Sequence, residues 1–139
     1  MTKFLPSLLL LLATATCRLC LASDLPGDWK LEVHDRKSEL RVIATVQFSD
    51  HPAPSCMSGT WKVVVVKSIS MRSAEFFPIE APLAYSIQNG TLTLGRTEIC
   101  DGYLFLSGNL DRDKIQGGYS SVFIGGGNEL GRFTLKRTL

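Results

Sequence analysis

The stretch that decides the fold is Asp101–Arg137, DGYLFLSGNLDRDKIQGGYSSVFIGGGNELGRFTLKR. It holds eight of the chain's twelve glycines and no proline. Apolar and β-branched runs (YLFL, YSSVFI, FTL) are separated by short polar or glycine-rich punctuation. This is the pattern of consecutive antiparallel hairpins. It predicts a strand from Gly102 to Leu110, a turn at Asp111–Lys114 and a strand from Ile115 to Ile124. A loop at Gly125–Asn128 and a last strand, Leu130–Arg137, complete it.

Upstream, the same alternation recurs. Trp29, Leu31 and Val33 share one phase and Lys30, Glu32 and His34 the other, as in a half-buried strand. After a polar turn at Asp35–Ser38, Leu40, Val42, Ala44, Val46 and Phe48 fall in phase. Ser49–Ser55 (SDHPAPS) carries two prolines and is predicted as a loop. The run WKVVVVKSI then predicts a strand with Trp61, Val63 and Val65 on one face and Val64 and Val66 on the other. Arg72–Pro82 is irregular, and its Phe76-Phe77 pair is expected to plug one end of the core. Leu83–Leu94 reads as a hairpin about Asn89-Gly90, two residues that tolerate positive φ. Asn89-Gly90-Thr91 is also a glycosylation sequon.

No window holds a 3.6-residue period long enough for a helix. About eight strands joined by short turns predict an all-β chain, an antiparallel up-and-down barrel, with a β-sandwich as the alternative. The in-phase apolar set Trp29, Leu31, Val42, Val46, Trp61, Val63, Tyr85, Phe105, Tyr119 and Phe133 is expected to face the interior. There it either lines a ligand cavity or fills the barrel.

Residues 1–22 read as a signal peptide: Lys3 in the n-region, an apolar core from Phe4 to Ala15, and Cys20-Leu21-Ala22 before the cleavage point. That core is about half the roughly 20 residues needed to span a bilayer, so no retained anchor is expected. Lipidation at Cys17 or Cys20 is the lesser alternative. The address is therefore periplasmic or secreted, with residues 23–139 as one domain. Lys3 and Arg18 leave with the signal, taking 15 basic residues to 13 against 13 acidic ones. This balance gives no electrostatic footprint for nucleic acid.

Of the four cysteines, Cys56 and Cys100 remain, and in an exported domain they are expected to form a disulfide. Catalytic and metal patterns are missing. His34 falls on the solvent phase, and His51 beside Asp50 has nothing in sequence to orient it. Asp111 and Asp113 lack the glycine and glutamate of a calcium loop, and Gly125–Gly127 precedes no helix that could hold phosphate. No cofactor or metal is implied, and no enzyme is expected.

Gly27-Asp28-Trp29 resembles the G-x-W with which lipocalins and other calycin-type barrels open their first strand. The resemblance implies that Trp29 closes one barrel end and that Arg137, or Lys136, packs over its ring. GRFTLKR is also similar to the C-terminus of small exported bacterial barrels. The expected function is a non-enzymatic binding module, with a small apolar molecule as one class of ligand. The alternative is an inhibitor or partner of another exported protein, contacting it through residues 49–55, 72–82 and 125–128.

Overall fold

Alternating burial along each strand sets the architecture. The computed structural model describes residues 25–139; the signal peptide predicted at 1–22 lies outside the described residues. Eight strands follow in order: β1 (Asp28–Asp35), β2 (Leu40–Pro52), β3 (Lys62–Met71), β4 (Leu83–Gln88), β5 (Thr91–Arg96), β6 (Tyr103–Asn109), β7 (Lys114–Phe123) and β8 (Gly126–Arg137). Each pairs antiparallel with its neighbour in sequence, and β8 pairs back onto β1 to close a barrel. The ring of pairings closes on itself, which settles barrel over sandwich, although β3 and β4 pair only from Lys62–Val64 to Leu83–Tyr85. Asn89 and Gly90 have φ of 51° and 77°, the mirror-image turn that their sequence predicts.

The interior is filled. Trp29, Leu31, Leu94, Leu106, Tyr119 and Leu135 have no solvent-accessible surface, so no water-sized void touches them. Room for these side chains comes partly from bare backbone. Gly108 and Gly117 face each other across β6 and β7, and a Cβ on Gly108 would stand 3.1 Å from the Phe133 ring and 2.5 Å from the Gln116 carbonyl oxygen. The glycines of the C-terminal third thus hold an aromatic ring inside the barrel.

The two ends close differently. At one, the Arg137 guanidinium lies 5.0 Å from the Trp29 ring centroid, while its Nε stands 3.6 Å from Asp113 on the β6–β7 turn. At the other, residues 72–82 fold inward, burying Phe77 and Ile79 completely. Phe76 and Phe77 both meet Tyr119 edge to face, and the Tyr119 hydroxyl donates to the Phe76 carbonyl. The phenylalanine pair is therefore the expected plug.

Burial pushes the Tyr119 phenol well above its ordinary value of 10.0, with the nearby Arg96 cation opposing the shift only in part. A group whose acid form is favoured by folding contributes stability that is complete below its unfolded pKa and is lost as pH rises past it. Tyr119 is accordingly expected to stay protonated until the barrel opens in alkali. Tyr119→Phe should cost about 1 kcal/mol at neutral pH through the lost hydrogen bond, yet move the alkaline unfolding midpoint upward. Phenolate absorbance and circular dichroism followed together test this; ionisation of Tyr119 in the folded barrel contradicts it.

Several expectations need correction. Ser49–Pro52 belongs to β2, and past a register shift Pro52 pairs with Lys62 of β3, because it lies at the strand end where a missing donor costs little. Gly126–Asn128 belongs to β8, each residue paired to β7, and the loop shrinks to Ile124-Gly125. Trp61, Val63 and Phe105 do not face the interior. Val64 does, packed in the main core, whereas Trp61 and Phe105 form a second cluster with Ala84. Register explains it: Val63, Ala84, Gly95 and Phe105 are consecutive cross-strand partners and share the outer face.

Candidate functional site

The second cluster lies on the outer wall and owes its existence to small residues. Ala84 and Gly95 leave a shelf there. A Cβ on Gly95 would meet the Phe105 ring at 2.7 Å and the Leu104 carbonyl oxygen at 2.1 Å. On that shelf the rings of Trp61 and Phe105 stack 6.0 Å apart at 19°. Tyr103 extends the stack, 5.4 Å from Phe105 at 9°. Both Trp61 and Phe105 are only 6% exposed, covered by the chain between β2 and β3. Small apolar clusters under long loops are a recognised satellite of the main core.

This connection, residues 53–61, is fastened as a strap. The Cys56–Cys100 disulfide ties it to the β5–β6 loop, with Cα atoms 5.4 Å apart. The Cys56 amide donates to the Thr97 carbonyl at 2.9 Å, and the Thr97 hydroxyl donates to the Pro54 carbonyl at 2.8 Å. The Trp61 indole N–H donates to the Ser58 carbonyl at 3.1 Å, fixing the ring beneath its own loop. A disulfide of this kind belongs to oxidising compartments.

Beside the strap runs a groove of about 550 Å³, bordered by Met57, Ser58, Trp61 and Phe105 on one side. Its floor is the outer face of β4, β5 and β6. Ser86, Thr93 and Ser107 are direct cross-strand partners there, a row of three hydroxyls. The Thr93 and Ser107 oxygens are 2.9 Å apart and share a hydrogen bond. One step along the strands, Gln88, Thr91 and Asn109 form a parallel polar row. Asn89 and Val122 complete the rim, and among the described residues none of the bordering side chains carries a formal charge.

Of the ten residues expected inside, Trp29, Leu31, Val42, Val46, Tyr85, Tyr119 and Phe133 lie in the main core. Trp61 and Phe105 border the outer groove, and Val63 lies on the outer wall opposite Ala84. His51 is exposed at the end of β2, its amide bonded to the Ser49 hydroxyl. The Asp113 carboxylate serves the Arg137 closure, and Asp111 accepts from the Arg112 amide. Among the described residues no three of His, Cys, Asp and Glu converge on a metal-sized point. Nor is any helix among them long and apolar enough to cross a membrane.

The hydroxyl row went unnoticed in the sequence although its signal was present. An Asn-Gly turn fixes Gln88 opposite Thr91, and hence Ser86 opposite Thr93. No protein family, curated protein or solved structure matches the chain.

Proposed function

We propose that this chain is an exported, non-enzymatic binding protein of calycin-like architecture that recognises its ligand on the outer wall of a filled barrel. The observation that carries the proposal is the contrast between the two faces. Side chains without accessible surface fill the interior, while the strapped outer face holds a groove of about 550 Å³, within the ~300–1,000 Å³ common for ligand sites. The disulfide supports a periplasmic or secreted address. The Trp29–Arg137 closure supports the calycin likeness.

An apolar carrier would need the interior emptied at the expense of core packing. Long-chain fatty acids and other apolar probes are therefore expected to leave the thermal midpoint unchanged and the fluorescence of the interior Trp29 unquenched. Binding that raises the midpoint and quenches Trp29 would return the ligand to the barrel interior and sink the outer-wall reading.

A specific observation also favours a protein partner. The β7–β8 hairpin tip is apolar, with Phe123 46% and Ile124 96% exposed. Of the three loops considered for contact, this tip alone presents a large apolar anchor, since residues 72–82 turn into the core.

A further inference from the structure

Resting on the outer-wall reading, we infer that the groove binds a neutral saccharide. Three observations converge on that class. The first is the polar lattice of the floor. Neighbouring strands are about 4.8 Å apart, and same-face residues recur about every 6.8 Å along a strand. Ser86, Thr93 and Ser107 in one row, with Gln88 and Thr91 in the next, thus offer donors and acceptors in a two-dimensional array. Hydroxyls and amides both donate and accept, which matches a ligand whose own groups are hydroxyls doing the same.

The second is the wall. Trp61 and Phe105, each largely buried, form with Met57 and Val122 an apolar flank to the polar floor. A sugar ring has this same division, with C–H bonds on its face and hydroxyls around its edge.

The third is what the groove lacks. Among the described residues no Asp, Glu, Lys or Arg borders it, so an ionic ligand would lose hydration without gaining a counter-charge. The strap is already held by the disulfide and two hydrogen bonds, so little ordering cost remains on binding.

The test uses the oxidised full-length secreted protein on an array of neutral oligosaccharides, anionic oligosaccharides and peptides. Hits are titrated by calorimetry. A neutral oligosaccharide is expected to bind, to shift the Trp61 emission, and to lose about tenfold or more in affinity on Thr93→Val with Ser107→Ala. Those exposed-face changes are chosen over Trp61→Ala, which would unseat the strap, and an unchanged thermal midpoint certifies the fold. If an anionic glycan or a peptide binds in a manner lost with the same double variant, the saccharide class is overturned and the outer-wall reading stands. If no ligand's binding depends on these hydroxyls, both fall.

Discussion

Replacing Cys56 and Cys100 together by alanine is expected to lower the unfolding free energy by about 4 kcal/mol in the chain-entropy account. The bond joins residues 44 apart in sequence, so its loss frees a large loop in the unfolded ensemble. Both cysteines are exposed, and a mild reductant should reach the bond without prior unfolding. The native state should change as well, in one place. Without the tether the strap depends on the two hydrogen bonds to Thr97 and on the Trp61–Phe105 stack. A typical hydrogen bond contributes only about 1 kcal/mol net. Trp61 emission should therefore shift to the red at denaturant concentrations where the circular dichroism of the barrel is still native. Urea titration read by both signals checks this. Coincident transitions at the wild-type midpoint would show that the tether matters to neither the strap nor the barrel.

The barrel was legible because local signals agreed with one another. Asn89-Gly90 took the turn its residue types favour, and Trp29, Leu31 and Val33 went inside as their phase required. Phe76-Phe77 became a plug because two adjacent aromatics in an irregular segment gain most by burial. The candidate site was less legible. In WKVVVVKSI both phases are apolar, so the period of two carries no information about which valine faces the core. YLFL has the same ambiguity, and the larger rings of Tyr103 and Phe105 went outward while Leu104 and Leu106 went in. What decides the matter is remote: Ala84 and Gly95 make the shelf, and a disulfide spanning 44 residues brings the strap over it. Single-segment patterning has no access to such information. Cross-strand register does, once the turns are known.

Trp29→Ala is expected to be the most damaging single substitution, costing about 3–5 kcal/mol, the usual range for truncating a large buried aromatic. Trp29 has no accessible surface and meets Phe48 edge to face at 6.0 Å, so the space it leaves is walled by rings that relax poorly. Part of the loss belongs to the Arg137 guanidinium 5.0 Å from the indole. That share is separable. Arg137→Ala alone should cost about 1 kcal/mol, and in a Trp29→Ala background its further cost should nearly vanish, because the ring it covers is gone. A double-mutant cycle by urea unfolding, with Trp61 emission as the probe, measures the coupling. Additive losses would mean that Arg137 acts through Asp113, 3.6 Å away, and not through the ring. Because the groove is on the outer wall, a Trp29→Phe protein that keeps its fold should bind as wild type does. Interior closure and outer recognition would then be two independent uses of one barrel, and a parallel loss of affinity would show them coupled through the shared β-sheet.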